Sequence, residues 1–159
     1  MDIGSGNQYP ANALSNFAPH PFTLDGVEIS SFEGFLQSLK FKSIEMQEYV
    51  CTLVGFAAKK KGRDKNWYVT QTLYWRGEEI KRDSHKYQDL LDRAYEAMYK
   101  NTKFKAALEA SGQANLTHNI GKIDPTKTVL TRNEFCSRLM KLRNFGTIQN
   151  KRNDTTKLF

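Results

Sequence analysis

The stretch ISSFEGFLQSLKF, Ile29 to Phe41, decides the reading of this chain, because it carries a helix signal and a chemical oddity together. At about 100° per residue, Phe32, Phe35, Leu36 and Leu39 fall on one apolar stripe, and Glu33, Gln37 and Lys40 fall together on the flank beside it. An acid, an amide and an amine therefore border the core. Helix chemistry alone accounts for the acid: Ser30 reads as an N-cap with Glu33 as its N3 partner, a capping box that also suits the positive helix end.

Upstream, LSNFAPHPFTLDGVEI from Leu14 to Ile29 places Pro19, Pro21 and an Asp25-Gly26 turn around two short apolar arms, FTL and VEI, which reads as a β-hairpin. Downstream, helices are expected over about 45–60, ended by Gly62, and over 64–74. Polarity then rises between Arg76 and Asp83. After RDS a strongly periodic helix carries Tyr87, Leu90, Leu91, Ala94 and Met98 on one face, so these are core positions. A shorter helix from Lys103 to Ala110 closes at Gly112. The loop from Asn115 to Val129 holds His118, Gly121, Asp124 and Pro125, and loops on a rigid scaffold are where sites tend to lie. A second capping box, Thr131 to Glu134, opens a last helix that buries Phe135, Leu139 and Leu142. The expected fold is α+β: a predominantly helical single domain over residues 1–146 with a small β-hairpin near the N-terminus, then a polar, flexible tail over 147–159.

Composition agrees with one domain: 159 residues, 39% hydrophobic and 12% aromatic, suffice for one core. No run of about 18 apolar residues exists to cross a membrane, and MDIGSGNQYP lacks the basic and apolar regions of a signal peptide, so a cytoplasmic location is expected, host cytoplasm if the source is viral. Cys51 and Cys136 stand far apart with no CxxC companion and no neighbouring His pair, which argues against disulfides and zinc and leaves both thiols reduced. The charge balance is more telling: 24 Lys and Arg against 17 Asp and Glu give +7, and the pI is near 9.4. Basic residues gather in KKKGRDK at Lys59 to Lys65, around Lys81 and in the tail from Asn150, which points to a nucleic acid, nucleotide or phosphate partner. There is no P-loop, dinucleotide fingerprint, HExxH, GxSxG or internal repeat.

Several segments, taken in order, resemble the NADAR superfamily, also called YbiA-like. Ser15-Asn16-Phe17 resembles its SNF motif, Asp25-Gly26 its hairpin turn, and Ser31, Glu33, Gln37 and Lys40 its Ser-x-Glu helix with Gln and Lys below. Gly62-Arg63 is similar to the Gly-Arg after its second helix, and Leu139, Met140, Leu142 and Arg143 to its terminal pattern. The resemblance spans roughly Leu14 to Arg143.

That resemblance implies cleavage of an N-glycosidic bond to ribose without metal or cofactor, with ADP-ribose on guanine in DNA or RNA, or a free ADP-ribose-like nucleotide, as partner. Phosphorylated ribosyl intermediates of riboflavin biosynthesis are the alternative substrates, and a non-catalytic ADP-ribose or nucleic-acid binding module the alternative role. It assigns Glu33 as the catalytic carboxylate, with Lys40 holding it ionised or meeting a phosphate, and a functional tryptophan, for which Trp75 is preferred over Trp67 because Arg76 adjoins it. Ser15, Asn16, Phe17, Gln37, Arg63, His118 and Asp124 are the candidate substrate-binding residues. The chemistry is coherent, since departure of a base from ribose C1 passes through an oxocarbenium-like state that a fixed carboxylate stabilises or captures. The chain departs from the family in lacking a Trp-Gly pair before the last helix, which leaves the second catalytic group open between Asp124 and His118.

Overall fold

The hairpin arms FTL and VEI bury alternate residues, and β1 (Phe22–Leu24) pairs antiparallel with β2 (Val27–Ile29) in the register Phe22↔Ile29 and Leu24↔Val27. Asp25 and Gly26 supply the two positive φ angles that such a two-residue turn requires. These are the first regular strands in a computed structural model that describes residues 1–148. There follow α1 (Phe32–Ser38), α2 (Ile44–Cys51), α3 (Gly55–Gly62), α4 (Trp67–Thr70), β3 (Thr72–Trp75), β4 (Glu78–Lys81), α5 (His85–Met98), α6 (Thr102–Ala110) and α7 (Arg132–Phe145). The fold is α+β and mainly helical, as expected.

α1 lies at the centre. Its stripe of Phe32, Phe35, Leu36 and Leu39 is buried, with Phe32 stacked on Tyr95 of α5 at 3.8 Å and Phe35 edge-on to Trp75 at 5.3 Å. The expected cap is one residue off. Ser31, not Ser30, is the N-cap, its hydroxyl accepting from Gly34 N at 3.0 Å, so Glu33 sits at N2 and closes no capping box. The helix also ends sooner than Phe41: Leu39, Lys40 and Phe41 each bond three residues back, a tightened final turn.

The expected helix over 45–60 is two helices. Ser30 N donates to Cys51 O at 2.8 Å, and Ser31 Oγ to Leu53 O at 3.0 Å. Carbonyls that would continue α2 are thus claimed by the start of α1, and Val54 turns extended before α3. The expected helix over 64–74 is cut to α4 by Gln71 in the left-handed region, after which the β-branched and aromatic TLYW forms β3. Arg76 and Gly77, both at positive φ, turn β3 into β4, a hairpin that sequence reading took for a polar connection.

The helix expected after RDS starts there, capped by Ser84, whose hydroxyl accepts from Tyr87 N, and the box at Thr131–Glu134 forms as expected. Past α7, Thr147 Oγ1 and Ile148 N both donate to Glu96 Oε1, and Ile148 is buried in the core. Residues 149–159 of the expected tail lie outside the described residues. Cys51 and Cys136 are buried free thiols, and burial pushes both up to about 11.

Candidate active site

The N-terminus of α1, the SNF turn, α3 and the loop before α7 converge on a cleft of about 480 Å³. Glu33 lies in it, and it is the only carboxylate among the lining residues. Five cations line the same cleft: Lys40, Lys59 and Arg63 on the α1–α3 side, Lys122 and Lys127 on the opposite loop. None of them forms an ion pair among the described residues. One half-buried acid facing a basic enclosure is an arrangement for an anionic ligand with a reactive centre beside the acid.

Glu33 is held from both ends. Its backbone N–H donates to Asn16 O at 3.0 Å, tying the helix start to the SNF turn, and its Oε1 accepts from Gln37 Nε2 at 2.9 Å. Burial pushes its carboxyl above the ordinary value, against the opposing effects of the Gln37 bond and the Lys40, Lys59 and His118 charges. The Lys40 ammonium is pulled below its ordinary value by burial, a shift that Glu33 resists and that Lys122 and Lys59 reinforce. Its Nζ donates to Gly62 O at 3.4 Å.

Gln37 is buried, and its Oε1, pressed against Gly62, has no hydrogen-bond partner among the described residues. A Cβ added to Gly62 would lie 2.0 Å from that oxygen. Gly62→Ala is therefore expected to leave the fold intact but swing the Gln37 amide off Glu33. An error of about 1 Å at a reacting group costs about 10²-fold in rate. The expected result is a loss of that order in kcat with an unchanged circular dichroism spectrum; full activity would show that Gln37 does not position Glu33.

The SNF turn is rigid. Ser15 Oγ accepts from Phe17 N at 3.2 Å, Asn16 Oδ1 accepts from the buried Tyr95 hydroxyl at 3.2 Å, and the Phe17 ring lies against Gly55 with Lys59 Nζ 6.0 Å from its centroid. Tyr95 thereby engages the Asn16 carbonyl oxygen of a side chain that lines the cleft. On the opposite wall, Ile3 N donates to Thr117 O at 2.8 Å, and His118 Nδ1 donates to Ile3 O at 2.8 Å with its ring edge-on to Phe135. That bond commits Nδ1 and leaves Nε2 for a ligand.

Ser15, Asn16, Phe17, Glu33, Gln37, Lys40, Arg63 and His118 are thus brought together, and two sequence candidates are not. Trp75 is buried under the hairpins, its Nε1 donating to Asp25 Oδ2 at 2.8 Å while Arg93 grips the same carboxylate with two bonds of 2.9 Å. It is not among the residues lining the cleft. Trp67, the other candidate, lines the cleft. Asp124 is exposed in the loop, and its Oδ1 accepts from Thr126 N at 2.9 Å and Thr126 Oγ1 at 2.8 Å, a local turn that is not among the residues lining the cleft. Sequence reasoning missed Lys59, Lys122, Lys127 and Tyr95. Lys59 had a signal, lying one helical turn before Arg63; the others had none.

A family described as bacteriophage protein GP30.3 matches residues 8–144. The uncharacterized 17.1 kDa protein of the Gp30-rIII intergenic region of Enterobacteria phage T4 is 38% identical over 146 residues, spanning 90% of this chain and 96% of that one. The NMR structure of the E. coli protein YbiA is similar over 99% of this chain and 86% of its own, with a TM-score of 0.58 and 21% identity. The fold is YbiA-like.

Proposed function

The chain belongs to the bacteriophage protein GP30.3 family, and from the cleft it carries we propose that it is a metal-independent N-glycosidase that removes ADP-ribose from guanine in nucleic acid or nucleotides. The observation that carries this reading is Glu33, the one carboxylate among the described residues lining the cleft, half-buried there among cations. Asn16 Nδ2 meets the ribose, and Lys59, Arg63, Lys122 and Lys127 meet the diphosphate. As the bond from C1 to the base lengthens, positive charge grows on the ribose ring. The Glu33 carboxylate, aimed by Gln37, stabilises or captures it. Lys40 favours the ionised carboxylate that burial alone would disfavour. With no second carboxylate among the described residues lining the cleft, His118 Nε2 supplies the proton to the departing base and later takes one from the attacking water. The setting we propose is the cytoplasm of an infected cell, where ADP-ribosylation is reversed.

Trp67 stacks on the adenine or the guanine. Free ADP-ribose is therefore expected to quench tryptophan fluorescence in the native protein and in Trp75→Phe, but not in Trp67→Phe. Quenching lost only with Trp75 would return the site to the hairpins. The substrate itself is tested by a hydrolysis panel of guanine-ADP-ribosylated DNA, the RNA equivalent and a phosphorylated ribosyl intermediate of riboflavin biosynthesis. The reading expects turnover of the first two. Turnover of the third alone would give the site to a small metabolite, and ADP-ribose binding without turnover would make the protein a reader.

A further inference from the structure

The three lysines of α3 do not all face the cleft. Gly55, Ala58 and Gly62 form the buried, small-residue face that packs on α1, so Phe56, Lys59, Lys60, Lys61 and the following Arg63 are directed outward. Lys59 and Arg63 line the cleft. Phe56, one turn before Lys59 and Lys60, is 65% exposed. Lys61 lies further round, its Nζ 5.6 Å over the ring of Tyr49, itself 52% exposed, and beyond Arg63 stands Tyr68, 55% exposed. From Gly55 to Trp67 there are five cations and one acid, Asp64.

Buried faces explain none of these rings. An isolated exposed aromatic is ordinary, but three on the consecutive helices α2, α3 and α4, interleaved along the chain with lysines, are not. Lysines meet phosphates as point charges, and exposed rings stack on bases whose faces are free. In a duplex those faces are taken by neighbouring base pairs, so the rings have partners only on a single strand. From this arrangement we infer that the outer face of α2–α4, with Tyr49, Phe56, Lys60, Lys61 and Tyr68, is a binding platform for single-stranded nucleic acid, continuous with the mouth of the cleft through Lys59 and Arg63. The inference rests on the glycosidase reading for its purpose: the platform holds the strand so that one modified base reaches Glu33. It makes the strand, rather than a free nucleotide, the carrier of the substrate.

The test reads binding of an unmodified strand, so it stands apart from whether Glu33 cleaves anything. Fluorescence anisotropy would follow a labelled oligo(dT) and an oligo(U) of about 12 nucleotides, each against a duplex of equal length, over a salt series. Binding is expected for both single strands and to be at least about tenfold weaker for the duplex. Lys60→Gln with Lys61→Gln should flatten the plot of log affinity against log salt by about 1.4, two phosphates at about 0.7 each. Phe56→Ala should weaken binding about tenfold with little change in that slope. All the substituted side chains are exposed, and melting curves confirm that the variants fold. Equal duplex binding, a slope unmoved by the lysine variants, no binding at about 50 mM salt, or a concentration-dependent dimer abolished by Phe56→Ala would each overturn the proposal.

Discussion

Glu33→Gln is expected to lower kcat about 10³-fold, the loss seen when one preorganised electrostatic partner of a transition state is removed. Glutamine keeps the shape and can still accept from Gln37 Nε2, so only the charge is lost. The pH behaviour follows from the direction of the Glu33 shift. Burial raises its carboxyl above the ordinary 4.5, so an activity that needs the ionised form rises with pH along a limb displaced upward from that value. The variant lacks this limb. Stability moves the opposite way, because a group whose folded pKa is raised contributes stability below its unfolded value and loses it as pH rises through the folded one. At about pH 7 the native protein therefore bears the cost of a charged, partly desolvated carboxylate that the variant does not. The variant should melt a few degrees higher there, on the order of 1 kcal/mol, and the gain should shrink towards acid pH. An inactive variant that melts lower would mean that Glu33 is a structural residue.

The second large effect belongs to Glu134. Its carboxylate closes the capping box on Thr131 N at 2.8 Å, takes two bonds from the buried Arg82 guanidinium at 2.7 and 3.1 Å, and accepts from Gln88 at 2.8 Å. Arg82 Nε in turn donates to Thr128 O at 2.9 Å, fixing the loop that forms the far wall of the cleft. Glu134→Ala leaves Arg82 buried without its partner, which costs roughly 3–5 kcal/mol and lowers Tm by on the order of 10 °C. Replacing the pair together, Arg82→Met with Glu134→Leu, should cost much less, because no orphaned charge remains. Burial alone would raise the Glu134 carboxyl, but the bonds from Arg82, Thr131 and Gln88 and the Arg82 charge outweigh it and hold it below 4.5. Stability from this pair is thus fully present above the ordinary glutamate value and drains away as pH falls through the lowered one. A melting-temperature series against pH in native and Glu134→Ala protein checks both statements. A difference that persists unchanged into strong acid would contradict the assignment.

What could be read from the sequence was local. The apolar stripe of α1, the Asp25-Gly26 turn, the helix start after RDS and the box at Thr131–Glu134 are each written within a few residues, and each formed. The break between α2 and α3 was illegible because its cause is long-range: donors at Ser30 and Ser31 claim carbonyls at Cys51 and Leu53. The second hairpin was hidden because its turn begins with Arg76, a residue with no preference for positive φ. At the site, Glu33, Gln37 and Lys40 were legible because helical spacing places them together. Choosing between two tryptophans was not, since Trp75 is claimed by Asp25, 50 residues away. Tyr95 gave no sign of its role, because the Asn16 amide it holds lies 79 residues upstream.

The central claim is that Glu33 breaks the bond between ribose and guanine, and the measurement that meets it most directly is a time course of free ADP-ribose released from a guanine-ADP-ribosylated single strand by native and Glu33→Gln protein at matched concentration. Stoichiometric release of ADP-ribose and unmodified guanine is expected from the native protein, and about 10³-fold slower release from the variant. Equal rates from the two proteins, or an intact substrate after prolonged incubation with the native one, would contradict it.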